Sequence, residues 1–310
     1  MINGIINVYK ERGFTSHDVV AKLRGILKQK KIGHTGTLDP EAEGVLPVCL
    51  GKATKVCDML TEKDKVYETV LLLGEKTDTQ DITGTVLEKR EVTCTEEQVK
   101  EVIAGFVGTY AQIPPMYSAL KVNGKKLCDL ARAGIEVERK PREVQIFSID
   151  IEEIELPRVK LTVHCSKGTY IRTLCQDIGE KLGCGGCMES LLRTKVSQFT
   201  LENALRLTQI EQIAAQVREE KGQELSTESL GDVILKVEEV FEEYPKLSVR
   251  EEFTKMLYNG NAMQAEWLVG WQEDLKQQKL RIYDSKHQFI GVYQYNDKYK
   301  DIRPIKIFRE

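Results

Sequence analysis

The sequence lacks a long apolar run, a strong net charge and the pattern of a signal peptide. None of its apolar runs approaches the length that a membrane span needs, and the first residues, Met1 to Gly4, do not resemble a signal peptide. The net charge is only -3, so a nucleic-acid partner would have to be bound by a local basic surface. We therefore expect a cytosolic protein that does not associate with membranes.

Motifs for metal binding, nucleotide binding and hydrolysis are also missing. The 4 histidines show no metal-ligand spacing, and there is no GxSxG elbow, no Walker loop and no GxGxxG after a strand. The 8 cysteines of so long a chain do not suggest a disulfide scaffold. Cys184 and Cys187 have the spacing of half a zinc site or of a redox pair, but a second pair at zinc-finger spacing is lacking. We therefore expect no metal site.

One short stretch combines several functional residue types, since residues 33–40 read Gly-His-Thr-Gly-Thr-Leu-Asp-Pro. Glycine permits tight or positive-φ backbone, and proline blocks continuation of a helix. Asp39, which precedes the proline, is therefore expected in a rigid loop outside any helix. Two interpretations remain open at this point: an Asx turn, in which Asp39 bonds its own backbone, and a functional site.

The hydrophobic pattern predicts a mixture of strands and helices. Strands are expected at 5–9, 66–73 and 159–165, and amphipathic helices are expected after Ser16 as N-cap and from Ile171 to Leu182. Arg172 lies in the first turn of that second helix, where the helix dipole disfavours a cation. We therefore expect Arg172 to have an anionic partner, either in a functional site or in the core.

The charge distribution divides the chain. The segment 114–142 begins with two prolines and carries seven basic and three acidic residues, a net charge of +4 in a chain that is net acidic. Such a basic, partly irregular insertion suits binding to an RNA backbone, although it is also compatible with an ordinary solvated excursion. The acidic segment 211–243 indicates the exit from a first domain, and a small β-rich unit starts at about Tyr244.

Four residues that are distant in sequence form a plausible reactive set: Asp39, Tyr67, Arg172 and Tyr170. If they converge, a carboxylate paired with arginine stays ionised and held in one orientation. An ionised, oriented aspartate is a competent nucleophile or base. A neighbouring tyrosine can stack on a planar substrate or transfer a proton. Paired carboxylates of a glycosidase are not excluded by spacing, because they need only spatial proximity.

Several blocks in order resemble the bacterial tRNA pseudouridine-55 synthase family (TruB-type). They include His34-Thr-Gly-Thr-Leu-Asp39-Pro, Gly51-Lys-Ala-Thr-Lys, Pro115-Met-Tyr-Ser-Ala-Leu-Lys121 and Ser166-Lys-Gly-Thr-Tyr-Ile-Arg172-Thr. The likeness covers about residues 5–215. The resemblance implies an α+β fold, a mixed and largely antiparallel sheet with a central catalytic cleft. It also implies a catalytic domain at 1–240 and a small β-rich PUA-like RNA-binding domain at 241–310.

The resemblance also implies roles for individual residues. Asp39 is the catalytic aspartate, Tyr67 stacks on the flipped uridine, Arg172 pairs with the aspartate, and Tyr170 lines the pocket. His34 enters the space that the flipped base leaves. Further RNA contacts are expected at Lys10, Lys121, Lys125, Lys126, Arg132 and Lys167. The insertion is a clamp for the T-arm of tRNA. Neither a cofactor nor a metal is implied, and a monomer without an obligatory protein partner is expected.

The sequence departs from the family pattern at four positions: Glu11 replaces a usual proline, Cys128 a tyrosine, Cys187 a histidine and Ser197 a glycine. None of the four belongs to the reactive set. Other hypotheses remain at this stage. The protein could be a tRNA-binding or tRNA-folding module with secondary catalysis, or a guide-RNA-dependent synthase that needs partner proteins. A glycosidase is a more remote alternative, and release of free base would be its mark.

Overall fold

The computed structural model describes residues 1–221 and 224–309. In chain order the strands are β1 (Gly4–Lys10), β2 (Ile32–His34), β3 (Glu43–Leu50), β4 (Lys65–Leu73), β5 (Glu75–Thr77), β6 (Val86–Lys89), β7 (Gly108–Gln112), β8 (Lys121–Val122), β9 (Lys125–Lys126), β10 (Arg142–Glu155), β11 (Arg158–Cys165), β12 (Gly186–Val196), β13 (Phe199–Thr200), β14 (Lys246–Val249), β15 (Leu268–Val269), β16 (Lys279–Tyr283), β17 (Phe289–Asn296) and β18 (Asp301–Ile307). The α-helices are α1 (Ser16–Leu27), α2 (Cys57–Thr61), α3 (Glu96–Ala104), α4 (Leu127–Arg132), α5 (Ile171–Lys181), α6 (Leu207–Lys221), α7 (Thr227–Leu230) and α8 (Thr254–Tyr258). None of the helices in these residues is both long and apolar enough to cross a membrane.

A nine-stranded sheet organises the first part of the chain. Its order is β1-β3-β12-β4-β11-β10-β7, with β2 added to β3 and β13 added to β12. All of its pairings are antiparallel except that of β3 with β12. The α+β class and the largely antiparallel sheet are thereby confirmed. Strand β4 lies at the centre of this order, which places Tyr67 in the middle of the sheet.

Helices cover different regions of this sheet. Apolar side chains of α3 and α5, such as Ile103 and Leu174, pack in one core with Leu71 of β4 and Leu161 of β11. Side chains of α1 and α6 form a second core with β1 and β3. Because α5 packs beside β4 and β12, its first turn is brought close to the centre of the sheet.

The start of α1 corrects one expectation. Thr15, not Ser16, is the N-cap, because the Thr15 hydroxyl accepts a hydrogen bond from the Asp18 backbone N–H. Ser16 is buried, and its hydroxyl accepts from the Leu38 N–H at 2.9 Å and donates to the Leu38 carbonyl at 3.3 Å. The serine therefore fixes the residue that precedes Asp39.

A second, five-stranded sheet has the order β15-β14-β16-β17-β18. It encloses its own apolar core, with Leu280 and Tyr293 among the buried residues. A further cluster joins the two sheets, since Phe241 and Phe308 pack with Ile5 of the first sheet. This sheet, with β16 and β17 among its strands, forms the small β-rich unit that was expected from about Tyr244.

A glycine at the contact of β3 and β12 provides a test of this packing. Gly44 has φ +105°, and a Cβ atom there would lie 2.2 Å from the Arg193 carbonyl oxygen. We expect Gly44→Ala to lower the free energy of unfolding by about 2–4 kcal/mol, through backbone strain and overpacking, as measured by urea denaturation.

Gly25→Ala is the matched control for that measurement. Gly25 lies in α1, and a Cβ atom there would meet nothing within 4 Å. Alanine at this helical position should stabilise the protein by about 0.5–1 kcal/mol. Equal effects of the two substitutions would contradict the close approach of β3 and β12.

Candidate active site

A cavity of about 550 Å³ lies among the segments that carry the four residues of the reactive set. It is bounded by the loop after β2, the start of β4, the irregular segment after β7, the loop before α5 and part of β12. Asp39, Tyr67, Tyr170 and Arg172 all line it. The structure therefore brings together four residues that the sequence separates by as many as 133 positions, from Asp39 to Arg172. A cavity of this size is typical of small-molecule sites and can hold a nucleotide.

Arg172 connects the segments around this cavity. Its Nε lies 3.0 Å from Oδ2 of Asp39, and its side chain is only 5% exposed. Its Nη1 donates to the Thr79 carbonyl at 3.0 Å and lies 3.5 Å from Oδ2 of Asp81. Its Nη2 donates to the Tyr117 carbonyl at 2.8 Å. All three nitrogen atoms of the guanidinium are thus engaged, which fixes its orientation toward Asp39.

The Asp39 carboxyl is subject to opposing influences. Burial raises its pKa above the ordinary value, the Arg172 guanidinium lowers it, and the carboxylate of Asp81 raises it. The side chain is nevertheless 40% exposed toward the cavity, so a ligand can reach it. The expected anionic partner of Arg172 is thus a pair of carboxylates, one accessible and one, Asp81, only 14% exposed.

The backbone of the Asp39 loop is held from several sides. Lys10 Nζ donates to the carbonyls of Pro40 at 3.0 Å and Ala42 at 2.5 Å. Gly13 N–H donates to the Pro40 carbonyl at 2.9 Å, and the Thr61 hydroxyl donates to the Thr35 carbonyl at 3.0 Å. Asp39 is therefore part of a rigid loop outside any helix, as its position before proline predicts.

A direct RNA contact by Lys10, expected from the family resemblance, is wrong. The side chain of Lys10 is 0% exposed, and its ammonium is directed at backbone carbonyls. A buried ammonium needs such hydrogen bonds to offset its loss of hydration. The residue thus supports the Asp39 loop from below and is not available to a macromolecule.

Two tyrosines form apolar walls of the cavity. Tyr67 lies on β4 and is 9% exposed, and burial raises the pKa of its phenol. Tyr170 precedes α5, and its backbone is held by Gln112, whose side chain accepts from the Tyr170 N–H at 2.8 Å and donates to the Tyr170 carbonyl at 3.0 Å. Burial also raises the pKa of the Tyr170 phenol. Both rings are therefore neutral near pH 7 and suited to stacking on a planar group.

The other predicted RNA contacts lie outside the cavity, except Lys167. Lys167 lines the cavity rim and pairs with Glu62. Exposed side chains of the β8–β9 hairpin and α4 form a separate basic surface, with Lys121, Lys125, Lys126 and Arg132. His34 ends β2 without lining the cavity, and its ring centroid lies 6.0 Å from that of His17.

Three residues of the cavity region were not singled out from the sequence. Asp81 is the second carboxylate on Arg172. Lys65 donates to the Thr61 carbonyl at 2.6 Å, and burial lowers its pKa to about 8. Arg193 is 1% exposed on β12. For Lys65 the available signal was a basic residue on the same strand face as Tyr67 and Leu71, where a buried charge is uncommon unless it has a partner. The pattern gives no such signal for Asp81, which lies in a turn, or for Arg193, which lies two residues before the exposed Lys195.

The pair Cys184 and Cys187 is buried, and both thiols are free. Across residues 1–221 and 224–309, no group of three or more histidine, cysteine or acidic side chains is arranged to hold a metal ion. Burial raises the pKa of both thiols, that of Cys187 to about 11. A buried thiol with a raised pKa is a poor nucleophile, so neither thiol is activated in this structure.

Sequence comparisons identify related proteins over most of the chain. Residues 24–171 match the family described as TruB family pseudouridylate synthase (N terminal domain), and residues 172–242 match the tRNA pseudouridylate synthase B C-terminal domain. The tRNA pseudouridine synthase B of Lachnoclostridium phytofermentans is 55% identical over 318 residues, with 99% of this chain and 100% of the relative covered. That of Alkaliphilus oremlandii is 42% identical over 308 residues, with 99% and 98% covered.

Solved structures resemble the whole fold. A chain from the crystal structure of a Cbf5-Nop10-Gar1 complex has a TM-score of 0.73 and 27% sequence identity, covering 99% of this chain and 85% of that chain. A chain from an H/ACA RNP bound to a substrate RNA containing 2'-deoxyuridine has a TM-score of 0.71 and 25% identity, with 99% and 85% covered.

The electrostatics of the Asp39 pair can be tested without a substrate. We expect Arg172→Gln to raise the pKa of Asp39, because it removes the cation that stabilises the carboxylate. We expect Asp81→Asn to lower it, because it removes a negative neighbour. The measurement is an NMR titration of the carboxyl carbon in protein labelled with ¹³C-aspartate. Shifts of the same sign in both variants would contradict the described pairing.

Proposed function

The chain belongs to the TruB family of pseudouridylate synthases, isomerases that act on uridine in tRNA, and from this premise we propose that its target is uridine 55 in the T loop. The target position is taken from the family resemblance, and the observation that supports the chemistry is the ion pair of Asp39 and Arg172 in a cavity walled by two tyrosines. This arrangement supplies an oriented carboxylate beside surfaces on which a nucleobase can stack.

The target uridine has to leave the RNA stack before it can react. The C1′ and C5 atoms of a nucleotide within a folded loop are inaccessible, so the base is extruded into the cavity. We propose that Tyr67 stacks on the extruded uracil and that Tyr170 forms the facing wall. His34, at the end of β2 and five residues before Asp39, enters the space from which the base departs.

Asp39 then acts as the nucleophile at C1′. One carboxylate oxygen forms a bond to C1′ while the C1′–N1 bond breaks, and the electron pair of that bond leaves with the uracil. With the aspartate attached to the sugar, the released uracil is held only by non-covalent contacts in the cavity and can rotate. Arg172 keeps the attacking oxygen in place, which contributes through orientation.

Reattachment completes the isomerisation. The rotated uracil uses C5 to form a new bond to C1′, and the bond between C1′ and the Asp39 oxygen breaks, which regenerates the carboxylate. The hydrogen on C5 leaves as a proton, and N1 gains one, so atoms and charge balance without a cofactor. The neutral phenol of Tyr67 lies beside this path and can take part in the proton transfer late in the reaction.

The remaining parts of the chain are assigned to tRNA binding. We assign residues 1–240 to catalysis and 241–310, with the second sheet, to a PUA-like RNA-binding domain. The basic insertion 114–142 clamps the T-arm, supported by its exposed lysines and arginine. The protein acts as a monomer without a guide RNA or a protein partner. Activity of the purified chain on a bare transcript distinguishes this from a guide-dependent synthase.

The role of Asp39 is tested with Asp39→Asn, which preserves shape and removes the charge. Wild-type protein should convert uridine 55 of an unmodified tRNA transcript to pseudouridine, as mapped by chemical labelling and primer extension. We expect Asp39→Asn to lower the rate by about 10⁴-fold or more, because the nucleophile is lost, while RNA binding is retained.

Glu41→Gln is the matched control, since Glu41 lies two residues away and is half-exposed in an ion pair with Arg12. It should keep wild-type activity. Product from Asp39→Asn at the wild-type rate would refute the assigned nucleophile. If the protein acted only in tRNA folding, all variants would promote the folding of the tRNA equally well.

The insertion is tested by replacing Lys121, Lys125, Lys126 and Arg132 with alanine together. We expect KM to rise with little change in kcat, because phosphate contacts contribute uniform binding. The slope of log Kd against log salt should fall by about 0.7–0.9 for each phosphate group that the variant no longer neutralises. The control is Lys100→Ala, an exposed position on α3. An unchanged salt dependence of Kd in the fourfold variant would refute the proposed role of the insertion as a clamp.

A further inference from the structure

A second arginine occupies the floor of the cavity. Arg193 lies on β12 directly opposite Tyr67 of β4 in the antiparallel register. Its side chain is 1% exposed and is among the largest fully buried side chains of the protein. It nevertheless lines the cavity together with Asp39 and Tyr67. The guanidinium of Arg193 therefore lies at the buried end of the cavity, away from bulk water.

Arg193 is hydrogen-bonded to two backbone carbonyls and also interacts with the hydroxyl of Tyr67. Its Nε donates to the Val45 carbonyl at 2.7 Å, and its Nη2 donates to the Gly36 carbonyl at 3.4 Å. Within residues 1–221 and 224–309, it forms no ion pair with a carboxylate, whereas Arg172 contacts both Asp39 and Asp81. Burial of a charge without a counter-ion is costly. Arg193 thus brings to the site a buried positive charge for which the described residues show no carboxylate partner.

The charges around the cavity also favour an anion. Five cationic side chains and two carboxylates line it, the cations being Lys65, Arg142, Lys167, Arg172 and Arg193. Arg142 and Lys167 are exposed at the rim, where the phosphates of an RNA strand would pass. Arg193 lies deeper, beside the phenol of Tyr67. Burial raises the pKa of that phenol, and the positive charge of Arg193 offsets part of the rise. At this depth Arg193 is better placed to meet an inserted base than a backbone phosphate, which would be met by Arg142 and Lys167 at the rim.

We propose that Arg193 stabilises the negative charge that develops on the uracil when the bond between C1′ and N1 breaks. The electron pair of that bond passes to the uracil and is shared among N1, O2 and O4, while C1′ becomes bonded to the Asp39 oxygen. The charge on the base is removed when C5 bonds to C1′ and the bond to Asp39 breaks. This inference rests on the proposed function.

The geometry gives this role to Arg193 and not to Arg172. The guanidinium of Arg172 is committed to two carboxylates and two carbonyls, so its charge is already compensated. Arg193 is held by the loop that carries the nucleophile, through Gly36, and faces the tyrosine expected to stack on the base. A preorganised charge aimed at a developing anion is typically worth 10²- to 10³-fold in rate for a single group.

The test compares Arg193→Gln, which removes the charge, with Arg193→Lys, which keeps it. We expect Arg193→Gln to lower kcat about 100-fold with KM nearly unchanged, and Arg193→Lys to recover most of this loss. Lys195→Gln, an exposed position on the same strand, is the control and should behave as wild type. Circular dichroism and thermal melting establish that each variant is folded.

A substrate with 5-fluorouridine at the target position separates charge stabilisation from packing. Fluorine at C5 stabilises the uracil anion, so breakage of the C1′–N1 bond depends less on Arg193. In single-turnover reactions, followed as loss of the N-linked nucleoside after nuclease digestion, the defect of Arg193→Gln should shrink by about tenfold. If that variant does not fold, the residual defect of Arg193→Lys should shrink in the same way.

Each contrary outcome has its own meaning. An equal defect on uridine and 5-fluorouridine, with Lys no better than Gln, would overturn the inference and leave Arg193 as a structural residue. A defect confined to KM would overturn it in favour of a phosphate contact. If wild-type protein forms no pseudouridine, the proposed function fails. If wild-type protein is active and Arg193→Gln is equally active, only the present inference fails.

Discussion

The site depends on one guanidinium that joins four separate segments of the chain. Arg172, in the first turn of α5, contacts Asp39 in the loop after β2, Thr79 and Asp81 in the β5–β6 turn, and Tyr117 after β7. Each contact uses a different direction of the planar fork, which lysine could not reproduce. The unfavourable position of a cation at a helix start is offset by the two carboxylates. Helix α5 thus carries the positive charge of Arg172 at its N-terminal end, where the helix dipole alone would disfavour it.

Much of the site was predictable because its residues carry strong local constraints. Asp39 precedes a proline and follows glycines, so a rigid loop was predicted and is present. Tyr67 falls in a run with strand pattern, and Arg172 begins an amphipathic helix that ends before a glycine. Periodicity could not bring them together, because convergence depends on sheet order. The convergence of these residues was predicted only from the resemblance of the sequence blocks, in their order, to the family.

The supporting residues were not predictable in the same way. Serine is a residue type typical of an N-cap, yet Thr15 is the cap, and the buried Ser16 side chain is hydrogen-bonded to the backbone of Leu38. Lysine is typical of an exposed contact with RNA, yet Lys10 is buried beneath the Asp39 loop. Arg193 lies in a strand whose register with β4 decides what it faces. In each case the residue type permits two environments, and only tertiary packing selects one.

The hydrogen bond from Arg172 to the Tyr117 carbonyl connects the Asp39 pair to the basic insertion. Tyr117 lies at the root of the basic insertion, so the same guanidinium that orients the nucleophile also anchors the element expected to close on the nucleic acid. Such coupling is reciprocal. If a closed position of the insertion stabilises the ionised and aligned form of Asp39, then that form of Asp39 stabilises the closed position to the same extent. Under the proposed function, one side chain would therefore couple the position of the insertion to the alignment of Asp39.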